Sequence, residues 1–136
     1  MKHAPLRAPL TAVELPDSEV FELQSLAALA ALAQHTRLRV FRLLVEREPH
    51  GMAAGAIAES VQAPQNTISS HLSILARGDL VMSERRGRSI VYRANLQKMR
   101  TLIEYLVANC CQGKATCDIT PLTEFCPSPA CAPKRR

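Results

Sequence analysis

"GAIAESVQAPQNTISSHLSILARGDLV", residues 55–81, is the stretch that decides the fold. Its apolar residues recur at helical spacing twice, with an interruption between. Ile57 and Val61 lie one turn apart, and Ile68, Leu72 and Leu75 make a second stripe. Between them "QAP", 62–64, forms a turn, and Pro64 suits a helix start, where its missing N–H is not needed. The pattern predicts two helices, 53–61 and 64–80, with Gly78 as a C-cap. The outward side of the second helix carries Gln65, Asn66, Thr67, Ser69, Ser70 and Ser73, with His71 among them, and the run has neither Lys nor Glu. A face that only meets solvent usually has those charges. Amides and hydroxyls instead suit hydrogen bonds to base edges and phosphates in a major groove. His71 fits a packing or phosphate contact better than a metal ligand.

Downstream, "LVMSER" (80–85) and "SIVYRA" (89–94) read as two short strands, and "RGR" between them puts Gly87 at a tight turn. Arg85, Arg86 and Arg88 crowd this hairpin tip. Arg and Gly are common in any exposed hairpin. Directly after a helix-turn-helix, however, such a tip can follow a phosphate backbone or enter a minor groove.

Upstream, "TRLRVFRLLVE" (36–46) is a helix with Leu38, Phe41, Leu44 and Val45 inward and Arg37, Arg39 and Arg42 outward, ended by "EPHG". Before it, Asp17 or Ser18 can cap a first helix whose opening turn holds Glu19 and Glu22. Leu23, Leu26, Ala27, Ala30 and Ala33 follow at helical spacing, and the alanines would let another helix approach closely. Residues 1–16 hold three prolines and read as a flexible arm. The last helix, 96–111, lines one face with Leu96, Met99, Ile103, Leu106, Val107 and Cys110, and Leu102 and Tyr105 widen it beyond what a small core needs. So wide an apolar face suggests a partner helix. The expected fold is mainly α with a β-hairpin wing, a winged helix-turn-helix over 17–112, followed by a Cys- and Pro-containing tail, 113–136.

Charge supports this division. The net charge is +5, from 17 Lys+Arg and 12 Asp+Glu. Residues 1–33 have 2 basic and 4 acidic residues, net −2, whereas 34–100 have 11 and 5, net +6. The basic part is the part expected to meet nucleic acid. The longest apolar run, "LAALAALA" at 26–33, is far short of the roughly 20 residues needed to span a bilayer. The N-terminus has no continuous apolar segment of signal-peptide type. A cytoplasmic location is therefore expected, and there the five cysteines would be reduced.

Three of those thiols lie together in "NCCQGKATC", 109–117. Cys110 and Cys111 are about 100° apart around a helix and can share a side. Gly113 permits a left-handed stop that would turn Cys117 back toward them. Three thiolates without a nearby His suit a three-coordinate thiophilic ion, As(III) or Sb(III), better than zinc, which usually takes four ligands in closed sites. Lys114 could lower the thiol pKa values slightly. Other readings remain open: Cys110 continues the apolar stripe and could be a small core residue, while a Cys110–Cys111 disulfide would be strained. Cys126 and Cys131, in "CPSPAC", are expected to be accessory.

Taken together, "LAQHTRLRVFRLL", "GAIAESVQAPQNTISSHLSILARGDLV" and "RRGRSIVYR", in that order and spacing over about 29–112, resemble the ArsR/SmtB family of metal- and metalloid-responsive repressors. Two positions depart from that pattern: Gln34-His35, usually an acidic residue and proline, and Pro64, usually small and polar. The resemblance implies a homodimer through the first and last helices and release of double-stranded operator DNA on inducer binding. Two-fold symmetry would put the reading helices about 34–36 Å apart. Some arsenic-responsive members look like this chain, with a Cys-Cys pair ending the last helix and a third Cys after a short loop. On that likeness the inducer site is Cys110, Cys111 and Cys117. The DNA contacts expected are Gln65, Asn66, Thr67, Ser69, Ser70, His71, Arg86 and Arg88. Rival classes are a thiol redox sensor on the same scaffold, a small thiol-dependent reductase, and a non-regulatory architectural DNA binder. Against the reductase, the chain has no Cys-x-x-Cys and no phosphate-cradling glycine loop, so no enzymatic activity is expected.

Overall fold

The computed structural model describes residues 9–107, with side chains from residue 19 onward. The elements are α1 (Pro9–Leu32), α2 (His35–Glu46), β1 (Met52–Ala53), α3 (Ala54–Val61), α4 (Gln65–Arg77), β2 (Val81–Arg86), β3 (Ser89–Ala94) and α5 (Leu96–Leu106). The antiparallel sheet runs β1-β3-β2. The order is that of a winged helix-turn-helix, as the sequence predicts.

The core lies where α2, α3 and α4 meet. Leu44, Ile57, Ile68, Leu72, Leu75 and Leu80 are fully buried there with Val40. Val81 and Ala94 close it at the hairpin base, and Leu102 closes it from α5. Truncating any one of these large side chains to Ala would cost about 2–5 kcal/mol.

Both helices of the helix-turn-helix stop in the same way. In α3, Gln62 takes the left-handed conformation (φ 57°), its N–H donates to the Glu59 carbonyl and the Ala63 N–H donates to the Ala58 carbonyl. In α4, Asp79 does so (φ 61°), its N–H donates to Ala76 and the Leu80 N–H donates to Leu75. These paired bonds are the Schellman arrangement, and the buried Leu80 and Leu75 supply its apolar contact. Gly78 is the C-cap of α4, as the sequence predicts, with φ −79°, and the left-handed residue is the next one, Asp79. Gly78 is needed for space. A Cβ there would lie 3.3 Å from Ala31 Cβ, 3.4 Å from the Ala27 carbonyl and 3.4 Å from Ala28 Cα. The small residues of α1 thus let α4 approach, and with the glycine taken up by that contact the left-handed turn falls to Asp79.

Other expectations shift. α1 begins at Pro9, inside the segment read as an arm, and Asp17 and Ser18 lie within it. Proline is tolerated in a first turn, as at Pro9, whereas Pro16 lies inside the helix and has no N–H to donate there. α2 buries Val40, Phe41 and Leu44, but Leu38 and Val45 are exposed because they fall on the flank of its stripe. Gln34 caps α2 by accepting the Arg37 N–H at 2.8 Å, so this departure from the family pattern does local structural work. Arg37 also turns inward, its Nε donating to the Ala31 carbonyl at 2.6 Å. β1 is too short to show a period in the sequence. It pairs Met52 with Tyr92 and Ala53 with Val91. Gly51 precedes it at φ 73°, where a Cβ would meet the Tyr92 carbonyl at 2.5 Å.

Candidate nucleic-acid interface

α4 is held by its apolar face, so its polar face is presented outward. Gln65, Asn66, Thr67, Ser69, Ser70 and Ser73 are all exposed, while Ile68, Leu72 and Leu75 are buried. Pro64 occupies the N-cap and supplies no side-chain cap. Asn66 stands in for one, its Oδ1 accepting the Thr67 N–H at 2.8 Å. Ser70 Oγ donates to the Asn66 carbonyl at 3.3 Å. The N-terminal turn of α4 thus combines outward backbone N–H groups with amide and hydroxyl side chains, the chemistry of phosphate and base contact. His71 differs from its neighbours: it is half-buried, and its Nδ1 is enclosed with no hydrogen-bond partner. It sits at the edge of the polar face.

The wing pairs Val81 with Ala94 at its base and Arg86 with Ser89 at its tip, leaving Gly87 and Arg88 as a two-residue turn. Gly87 has φ 64° and Arg88 a negative φ, the pattern of a type II′ turn. Arg85, Arg86 and Arg88 are exposed. Their surroundings differ. Arg86 Nη1 donates to the His50 carbonyl at 2.9 Å and Nη2 to Glu84 Oε2 at 3.1 Å. The Arg86 hydrogen bond, followed by its charge, holds the Glu84 carboxyl below its ordinary value. Arg85 Nε reaches only the Gly87 carbonyl, at 3.4 Å. Among the described residues Arg88 makes no side-chain hydrogen bond and stands at the tip.

A second tie fixes the wing to the loop after α2. Glu48 is nearly buried, and its carboxylate accepts two bonds from the Arg93 guanidinium and one from the Ala94 N–H at 3.1 Å. A third joins the wing to both α4 and α5. The Asn95 N–H donates to the Leu80 carbonyl at 2.8 Å, its Nδ2 donates to the Asp79 carbonyl at 2.9 Å, and its Oδ1 accepts the Lys98 N–H at 3.1 Å. The sequence reading missed Glu48, Arg93 and Asn95. Glu48 and Arg93 are 45 residues apart, and no pattern in the chain links them.

Away from this surface, α1 and α5 touch through one aromatic group. Phe21 meets Tyr105 edge-on at 5.1 Å between ring centroids, and Lys98 Nζ stands 5.9 Å over Phe21. α1 turns Ser25, Ala28 and Ala31 inward and leaves Val20, Leu23, Leu26 and Leu29 exposed. α5 buries Leu102, half-buries Leu96 and Met99, and leaves Ile103, Tyr105 and Leu106 exposed. The expected stripe is therefore split, with Leu102 belonging to the core and Ile103 and Leu106 to the outside. Cys110, Cys111 and Cys117 lie outside the described residues, as do Cys126 and Cys131. No group of three or more His, Cys, Asp or Glu that could hold a metal ion occurs among the described residues. None of the described helices is long and apolar enough to cross a membrane.

A helix-turn-helix domain model matches residues 32–84, from the end of α1 into β2. Over 95 residues the chain is 34% identical to the helix-turn-helix-type transcriptional regulator KmtR of Mycobacterium tuberculosis, covering 70% of this chain and 69% of that protein. An ArsR-like transcriptional regulator from Rhodococcus superposes with TM-score 0.58 at 26% identity, covering 63% of this chain and 78% of the other. The chain belongs to the ArsR family. Its fold is also that of the homodimeric winged helix-turn-helix DNA-binding domain of a Mycobacterium bovis protein, with TM-score 0.56 at 23% identity over 74% of this chain and 94% of that one. As an ArsR-family transcriptional regulator the chain is a DNA-binding protein.

Proposed function

We propose that this regulator is a dimeric repressor that binds a pseudo-palindromic operator and lets go when trivalent arsenic is held by Cys110, Cys111 and Cys117. The observation that carries the reading is the exposed apolar surface of α1 and α5: among the described residues Val20, Leu23, Leu26, Ile103 and Leu106 are left exposed on these two helices. A second copy would bury it. The thiols begin three residues beyond Val107, the C-cap of α5, so an ion bound to them would act on the end of the dimer-forming helix. Three soft thiolates fit a three-coordinate thiophilic ion.

On α4, Gln65, Asn66, Thr67, Ser69 and Ser70 read bases and phosphates, with His71 at the margin. Arg88, and Arg85 beside it, meet the DNA backbone from the wing. Arg86 must give up Glu84 or the His50 carbonyl to do the same. The inducer acts by its differential affinity for the released state; each tenfold weakening of DNA binding requires about 1.4 kcal/mol of that difference.

The test is a DNA-release titration under reducing conditions with arsenite, antimonite, zinc and cadmium in parallel. Arsenite should release DNA from the native chain and fail on a triple Cys110→Ser, Cys111→Ser, Cys117→Ser variant. Release by peroxide alone, with an oxidised cysteine pair seen by mass spectrometry, would replace this reading with a redox switch. Release of the triple variant by arsenite would remove the cysteine assignment.

A further inference from the structure

We infer that Asn95 is the positioning residue that fixes the angle between the reading helix and the dimer-forming helix. The inference rests on the dimer reading above. Asn95 stands between β3 and α5 and uses three of its polar groups to tie the start of α5 to the connection between α4 and β2. Its Oδ1 accepts the Lys98 N–H at 3.1 Å and so starts α5. Its Nδ2 donates to the Asp79 carbonyl at 2.9 Å, on the left-handed residue that ends α4. Its backbone N–H donates to the Leu80 carbonyl at 2.8 Å, on the fully buried residue that leads into the wing. Only one orientation of the amide satisfies both side-chain bonds, because a carbonyl needs a donor and an N–H an acceptor.

The consequence is mechanical. Asp79 and Leu80 also close the Schellman stop of α4, so the carbonyls that Asn95 holds are fixed to the last turn of the reading helix. A rotation of the first turn of α5 carries Asn95 with it and draws on those carbonyls. Apolar contacts between the same elements tolerate sliding, whereas two directional bonds from one short side chain do not. In a two-fold dimer this joint appears twice. The angle it sets therefore fixes the separation and phase of the two α4 helices against the DNA turn.

Half-site spacing tests this without any inducer. Asn95→Asp and Asn95→Ser each keep an oxygen that can cap α5, and each lacks the Nδ2 donor. The probe is a duplex selected for tight binding from a randomised pool, remade with one or two base pairs inserted between its half-sites. Each inserted pair turns the far half-site by about 35°. The native dimer should lose about tenfold or more in affinity per insertion, the scale of one mismatched contact. In both variants the loss should shrink to about threefold or less, on that same scale, with affinity for the isolated half-site unchanged. A weakened cap or a lower melting temperature would not move that ratio. Variants that remain dimers and discriminate spacing as the native chain does would overturn the inference and leave the dimer reading intact. A native chain that sediments as a monomer on its DNA would overturn the dimer reading, and this inference with it.

Discussion

Exchanging the roles of the neighbours Gly78 and Asp79 tests the local argument most directly. At Gly78, a Cβ would stand 3.3–3.4 Å from Ala31 Cβ, the Ala27 carbonyl and the Ala28 Cα. The tightest of these, Ala31 Cβ, has no rotatable bond of its own, so relief requires α1 to give by a few tenths of an ångström. Overpacking of this kind costs about 1–3 kcal/mol. Alanine recovers at most about 1 kcal/mol over glycine at a helical position. Gly78→Ala should therefore destabilise the protein by about 1 kcal/mol, the middle of the first range less the gain from alanine. At Asp79, φ is 61°, a conformation that costs an L-residue about 1–2 kcal/mol, less for Asp than for most. Glycine removes that strain and gives back about 0.5–1 kcal/mol through the greater freedom of its unfolded chain. Asp79→Gly should stabilise by up to about 1 kcal/mol, the two estimates combined. In a domain of this size each change would move the melting temperature by about 4–8 °C, in opposite directions. Thermal scans must be made at one protein concentration, since association raises the apparent stability. If Gly78 were the left-handed residue, Gly78→Ala would still destabilise but Asp79→Gly would not help. A destabilised Asp79→Gly variant, or a neutral Gly78→Ala variant, would refute the close-approach account.

Three other outcomes are expected. Arg88→Ala should weaken binding to all DNA sequences alike and reduce the slope of log affinity against log salt by about 1, whereas Arg86→Ala should change the slope less and broaden wing motion in relaxation measurements. Gln65→Ala or Ser69→Ala should relax sequence preference at one position, with about 1–3 kcal/mol lost on the preferred duplex and little on a random one, as read by competition binding. Glu48→Ala leaves the Arg93 guanidinium and the Ala94 N–H without their acceptor in a nearly buried position, and chemical denaturation should show a loss of about 3 kcal/mol.

The reading and packing faces of α4 were legible in the sequence because they obey one period: Ile68, Leu72 and Leu75 repeat, and the polar residues fill the gaps. The hairpin was legible because Gly87 sits at a turn that demands a positive φ. Gly78 was legible as the C-cap of α4, but its close contact with α1 was hidden because it depends on what passes across α4, the alanines nearly fifty residues earlier. Leu102 and Ile103 were hard to sort for a related reason. When a helix is apolar on two sides, periodicity shows that both sides are covered but not which side faces the chain's own core. Arg86 and Arg88 look alike in "RRGR", and only the His50 carbonyl, brought close by the fold, separates them. Likewise, nothing in the sequence links Asn95 to the Asp79 carbonyl that the fold brings beside it.

α1 has one further consequence. Its inward side, Ala28 and Ala31, touches Gly78, while its outward side offers Val20, Leu23 and Leu26. The helix thus belongs half to the subunit interior and half to the proposed junction between subunits. Mutational drift there is constrained twice over: a larger inward residue would push the helix off α4, and a polar outward one would dilute the seam. The same division gives the protein a built-in dependence on its own abundance. Chains at low copy number would expose the proposed seam, and paired reading helices would form only as partners accumulate.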